Sequence, residues 1–242
     1  MNVMALVAGS LFVSSVVMGM TGFGVAITAI SILSFVLPVR DIVPLIFIYN
    51  FSMNVVLLLQ LRAHIRLKRV LPQLIGFLPG ATIGVYGLVC LPDRVLKIIV
   101  GTGLTVFAVW MILRRSDHYV PAHSGWSGMA GFFAGLLGGS VYMPGPPVIV
   151  YNTLTQQDRF AFKVDLQIFF LLANLYLLGG YLMMDLFTRA VLLKTLYYSP
   201  FVILGLLLGM AAFRRIPSCA YGKIVDGLIG VMGLLLLAKN SL

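Results

Sequence analysis

Apolar runs long enough to cross a membrane follow one another along almost the whole chain, at about residues 3–37, 41–61, 70–90, 94–113, 126–151, 160–184, 188–213 and 218–238. A helix needs roughly 20 predominantly apolar residues to span a bilayer core. Eight such runs in 242 residues leave no stretch for a separate water-soluble domain. With 60% hydrophobic and 10% charged residues and a mean hydropathy of +1.04, the chain could not cover a globule with polar surface. The expected fold class is an all-α polytopic membrane protein. No basic residue precedes the first apolar run in MNVMALVAGS, so this end reads as the start of the mature fold rather than a signal peptide.

Two of the runs are too long for one span. An unbroken helix over 3–37 would measure roughly 50 Å against a hydrocarbon core of roughly 30 Å. Breakers stand in both long runs: Gly19-Met-Thr-Gly-Phe-Gly24 in the first, and Gly135-Leu-Leu-Gly-Gly-Ser-Val-Tyr-Met-Pro-Gly-Pro-Pro147 in the fifth. Glycine frees the backbone and proline removes a donor, so both segments are predicted to be interrupted, and the whole second cluster is predicted to be non-helical. In hydrocarbon the freed N–H and C=O groups need partners, so such a break is tolerated only inside protein or beside a watery cavity. The pairs Gly80/Gly84 and Gly205/Gly209 have plain helical spacing and read as helix-packing contacts.

The breaks occupy matching places in an internal repeat. Gly19 and Gly22 correspond to Gly135 and Gly138, Asn54 to Asn174, Arg69 to Arg189, Gly80 and Gly84 to Gly205 and Gly209, and Pro92 to Pro217, in preserved order. The chain divides into a first repeat over 1–115, a central loop over 116–125 and a second repeat over 126–242. Paired interrupted segments in two halves are the sequence-level pointer to a secondary transporter's binding site.

The net charge of +10 comes from Lys and Arg in short loops, which read as topology signals. If each broken segment turns back to its own side, Arg62, Arg66, Lys68, Arg69, Arg114, Arg115, Arg159, Lys163, Arg214 and Arg215 share the cytoplasmic side. Arg40, Arg94, Lys97, Arg189, Lys194 and Lys239 face the other. If each segment crosses instead, the bias almost vanishes. The hairpin arrangement obeys the positive-inside rule better and leaves an odd number of full spans per half, which inverts the halves relative to each other.

A helix that restarts after a break presents backbone N–H groups and a partial positive charge at its new N-terminus. Glycines let an oxyanion approach the backbone, and a serine hydroxyl can donate to it. The candidate anion site therefore takes Thr21, Gly22 and Gly24 from the first break, and Gly138, Gly139, Ser140, Pro144 and Gly145 from the second. Asn50, Asn54, Gln167 and Asn174 join them as polar side chains on flanking segments, with Asn54 and Asn174 matched across the halves.

Other polar residues read as structural. Lys163 and Asp165 lie near a segment end, and Lys223 can neutralise Asp226 one turn away. His64, His118 and His123 sit in polar loops without metal-ligand spacing, and Cys90 and Cys219 make neither a disulfide framework nor a metal site. Trp110, Trp126 and Tyr119 read as interfacial anchors. No nucleophile, paired carboxylate, phosphate loop, metal motif or cofactor signature is present, which argues against an enzyme, and no aromatic-interleaved basic face suggests nucleic acid.

Gly138-Gly-Ser-Val-Tyr-Met-Pro-Gly-Pro-Pro-Val-Ile-Val-Tyr151, Arg159-Phe-Ala and the Asn174 helix, preceded half a chain earlier by Gly19–Gly24, resemble the sulfite exporter TauE/SafE family of bacterial membrane permeases. The first cluster, GMTGFG, is poorer in glycine than the usual family form. The resemblance implies a multi-pass permease of the bacterial inner membrane for sulfite, an organosulfonate or a related sulfur-containing or carboxylate anion. The expected partners are that anion and the lipid bilayer, with a proton or sodium coupling ion and a homo-oligomeric state left open. An anion channel and a non-transporting accessory subunit stay open as alternatives from the residues alone.

Overall fold

The structure, a computed structural model, describes residues 3–21, 24–34, 36–61, 67–113, 121, 123–155 and 159–215. These residues form α1 (Val3–Thr21), α2 (Val25–Leu33), α3 (Val39–Leu61), α4 (Leu67–Cys90), α5 (Asp93–Leu113), α6 (Ser124–Val141), α7 (Gly145–Thr155), α8 (Arg159–Met183) and α9 (Arg189–Arg215). No strand occurs among them. The apolar runs map onto these helices in order, the first onto α1 and α2 and the fifth onto α6 and α7. The eighth run, with Cys219, Lys223 and Asp226, lies outside the described residues, as do His64, His118, Tyr119 and the side chain of Lys163.

Among the described residues, five helices, α1, α3, α4, α8 and α9, are long and apolar enough to cross a membrane. Their outward faces carry large apolar side chains such as Ile83, Tyr86, Leu196 and Leu208, all more than half exposed. A continuous exposed apolar surface of this kind suits lipid rather than water. The chain is a multi-pass membrane protein.

The second break is shorter than the glycine count suggests. α6 runs through Gly135, Gly138, Gly139 and Ser140 to Val141, and only Tyr142, Met143 and Pro144 leave the helix. The helix persists because those glycines face another helix and are held there, which offsets their low intrinsic propensity.

That neighbour is α4. A Cβ on Gly76 would lie 2.0 Å from the Gly128 carbonyl oxygen, one on Gly131 1.9 Å from that of Gln73, and one on Gly135 2.3 Å from that of Phe77. The contacts rise together along both helices, so α4 and α6 run parallel at backbone contact. α1 and α9 are joined in the same way: Gly205 abuts the Phe12 carbonyl and Gly209 that of Val16. Gly80 and Gly84 against α6, and Gly205 and Gly209 against α1, thus have the packing role read from their spacing.

The two seams repeat one pattern. A Cβ on Gly139 would meet Ala81 O at 2.5 Å, Val85 N at 2.6 Å and Gly84 C at 2.9 Å, and one on Gly19 would meet Leu206 O at 2.6 Å, Met210 N at 2.8 Å and Gly209 C at 2.9 Å. Each partner of Gly19 stands 125 positions after its counterpart. A Cβ on Gly135 would meet Phe77 O, Ala81 N and Gly80 C in the same pattern, so the contacts of Gly19 match those of Gly135 and Gly139 alike. Glycines recur too often in this chain for residue matching to fix the register.

Chain direction follows from further contacts. The Tyr151 hydroxyl donates to the His123 carbonyl at 3.3 Å, and Gln73 Nε2 donates to Asn152 Oδ1 at 2.8 Å. The end of α7 thus lies beside the starts of α6 and α4, and α6–α7 is a hairpin. Arg40, at the start of α3, donates to the carbonyls of Leu88, Val89 and Leu91 and so satisfies the last turn of α4. The Val39 N–H donates to Asp93 Oδ1 at 2.8 Å, and Asp93 also pairs with Lys97 at 2.9 Å. The α2–α3 connection therefore sits at the far end of α4. Because α1 is parallel to α9, which descends from that same end, α1 and α2 fold back as a second hairpin of opposite sense.

Replacing Gly76 with Val should force α4 off α6 and cost at least about 1–3 kcal/mol, seen as a lower thermal unfolding midpoint in detergent. Gly179→Ala is the control, since nothing lies within 4 Å of its Cβ position, and it should leave the midpoint unchanged.

Candidate functional site

The two breaks meet. A buried cavity of about 20 Å³ is lined by Met18 of α1, Gly24, Ala26 and Ile27 at the first break, Asn50 of α3, Tyr142, Met143, Pro144, Gly145 and Ile149 at the second, and Phe170 and Asn174 of α8. Of the residues chosen from sequence, Gly24, Asn50, Pro144, Gly145 and Asn174 are brought together here. Gly22 and the side chain of Thr21 lie outside the described residues. The cavity has room for about one water.

Gly24 caps α2 with φ +103° and ψ −9°, a left-handed conformation that a side chain would strain, and no side chain caps the helix. The first intrahelical bond runs from Thr28 N–H to Gly24 O at 2.9 Å. The helix itself therefore offers no acceptor to the N–H groups of Val25, Ala26 and Ile27, two of which belong to cavity-lining residues. The helix dipole adds partial positive charge at the same point.

α7 starts at the same cavity but differs in chemistry. Pro146 and Pro147 follow Gly145 and carry no N–H, so the first turn of α7 has lost two of its donors. Its dipole remains. The start of α2, at the glycine-poor break, therefore keeps backbone donors that the start of α7, at the glycine-rich break, lacks.

Side chains complete the wall. Asn174 is 2% exposed; its Oδ1 accepts from the Tyr142 hydroxyl at 3.0 Å, and its Nδ2 has no partner among the described residues. Asn54 Nδ2 donates to Asn50 Oδ1 at 2.7 Å, which orients Asn50, while Asn54 itself is not part of the lining. Gln167 is fully buried on the face of α8 that carries Phe170 and Asn174 and is not part of the lining.

The remaining sequence candidates serve packing. Gly138 and Gly139 sit in the last turn of α6, where Tyr181 of α8 donates to their carbonyls at 3.0 and 3.2 Å. Ser140 donates its hydroxyl to Leu136 O at 2.6 Å, so its proton is already used. Gly139 faces α4, a Cβ on Gly138 would meet Pro144 at 3.0 Å, and none of the three residues is part of the cavity lining. Small residues look alike in sequence whether they admit a ligand or a neighbouring helix.

Tyr142 was missed, and a backbone signal identifies it. Its φ of 53° and ψ of 41° place a bulky residue in the left-handed region, which costs about 1–3 kcal/mol and persists only where the surroundings impose it. Here its N–H caps Leu137 O, its ring meets Phe47 edge-on at 5.5 Å, and its hydroxyl holds Asn174. Phe47 also packs edge-on against Tyr181 at 5.3 Å, tying α3 to the same turn. No sequence pattern of apolar runs distinguishes such a tyrosine from a packing residue.

A second, larger cavity of about 240 Å³ lies at the open end of the α6–α7 hairpin, between α4, α6, α7 and α8. Asp165, read from sequence as a segment-end residue, is 3% exposed and lines it. His123 has a structural role, accepting through Nδ1 from the Gly125 N–H at 3.1 Å. No group of three or more metal-ligating side chains occurs among the described residues.

Residues 6–236 match the family model described as Sulfite exporter TauE/SafE. No curated protein and no solved structure matches the chain.

Tyr142→Phe should leave both polar atoms of Asn174 unpartnered in a buried setting, at a cost of about 1–3 kcal/mol. The expected readout is a lowered unfolding midpoint with unchanged membrane insertion.

Proposed function

This chain belongs to the sulfite exporter TauE/SafE family, a family of membrane transporters, and from that premise we propose that it carries a small anion through the cavity where its two helix breaks meet. The substrate class is sulfite, an organosulfonate or a related sulfur-containing or carboxylate anion. One observation carries this reading: the open N-terminus of α2 and Asn174, whose Nδ2 has no partner among the described residues, line one cavity with no charged side chain among its described lining residues. Donors without permanent charge hold an oxyanion yet let it leave.

A volume of about 20 Å³ is too small for an oxyanion, so the hairpins part to admit one. In this reading residues 1–115 and 126–242 are inverted repeats, joined by 116–125, and the α1–α2 and α6–α7 hairpins enter the bilayer from opposite faces without crossing it. Rocking of one repeat against the other along the glycine seams exposes the cavity to each side in turn. The end that holds Arg69 and the start of α8 faces the cytoplasm of a bacterial inner membrane. A negative-inside potential then favours export of an anion by about 2.3 kcal/mol per charge per 100 mV, enough to drive it without a coupling ion.

Gly145→Ala tests the reading. A Cβ there would touch Ile149, Ile27 and Phe170 at 3.4, 3.8 and 3.8 Å, ordinary contact distances, so folding is retained while the cavity fills. In proteoliposomes loaded with sulfite, the native protein should give saturable, potential-driven efflux. The variant should unfold at the same temperature and lose roughly five- to hundredfold in flux, from about 1–3 kcal/mol of overlap with the bound anion. Full flux in the variant would place the substrate path elsewhere.

A further inference from the structure

The larger cavity has features that helix packing does not require. Gln73 of α4, Ser127 of α6 and Asn152 of α7 are each 2% exposed and line it. Gln73 Oε1, Ser127 Oγ and Asn152 Nδ2 have no hydrogen-bond partner among the described residues, although the two amides bond each other at 2.8 Å. If both amides are turned over, the pair still leaves one acceptor and one donor free. Apolar side chains would close a gap between helices better than three buried polar groups from three helices. Arg69 and Asp165 add one group of each charge to the wall.

A ligand suited to this wall offers both an acceptor and a donor. An oxyanion without a proton offers only acceptors and meets the Asp165 carboxylate with like charge. A monoanion that also bears a hydroxyl or acid O–H accepts from Asn152 and Arg69 and donates to Gln73 or Asp165. We propose that this cavity is a second substrate-binding site, at the open end of the α6–α7 hairpin, for small monoanions that carry an O–H group. The inference rests on the anion-permease reading and places a waiting site on the cytoplasmic side of the central cavity. Its volume of about 240 Å³ accommodates such an ion together with water.

The test is equilibrium binding to the purified full chain at one fixed pH, with 2-hydroxyethanesulfonate and ethanesulfonate as probes that differ only in the hydroxyl. The native protein should bind about two equivalents of the hydroxylated probe and about one of ethanesulfonate. Gln73→Leu/Asn152→Leu replaces both partners of one hydrogen bond by apolar groups, so folding is retained; it should bind one equivalent of either. Ser127→Ala, a smaller change, should weaken the hydroxylated probe at this site by about fivefold and leave ethanesulfonate unaffected. A single native equivalent of each probe, lost in Gly145→Ala but unchanged in the other variants, would overturn the second site while leaving the central one standing. No saturable binding of either probe to the native protein would overturn both.

Discussion

An unpaired backbone group in hydrocarbon is expensive, and this constraint orders the rest of the structure. A membrane helix can be broken only where protein supplies what lipid cannot. Both breaks here lie inside the protein rather than against lipid. The carbonyls at the end of α6 receive the Tyr181 hydroxyl and the N–H groups of Tyr142 and Met143. The donors at the start of α2 face an interior cavity with the second break on its other side. What one break leaves open, the other encloses.

Holding the breaks together requires the long arms of the hairpins to be fixed in depth. α6 is locked to α4, and α1 to α9, by glycines whose missing Cβ atoms admit backbone to backbone contact. Such seams depend on dispersion at close range rather than on the hydrophobic effect, which is absent between helices in lipid. Each joins one arm of a hairpin to a long helix from the other half of the chain.

The sequence makes much of this legible and leaves some of it hidden, for identifiable reasons. Span-length apolar runs give the helices, and the glycine and proline clusters give the two breaks, because backbone freedom and donor loss are local properties. Gly24, Pro144 and Gly145 could be named for the same reason, and Asn50 and Asn174 as polar side chains in apolar segments. Gly138, Gly139 and Ser140 mislead because a helix held at close packing tolerates the glycines that would break it alone. The relative strength of the two N-termini is hidden behind glycine counts, although Pro146 and Pro147 signal it once donors rather than glycines are counted. Tyr142 and the Gln73–Asn152 pair depend on contacts 32 and 79 residues apart, which no local pattern encodes.

The central claim is that an oxyanion binds between the α2 N-terminus and Asn174. Selenite, a heavier analogue of sulfite, locates it directly through the anomalous scattering of selenium in crystals of the full chain. The account expects a selenium peak within hydrogen-bonding reach of the Ala26 and Ile27 N–H groups and Asn174 Nδ2. Well-occupied selenite elsewhere along the chain, with none between the two breaks, would contradict it.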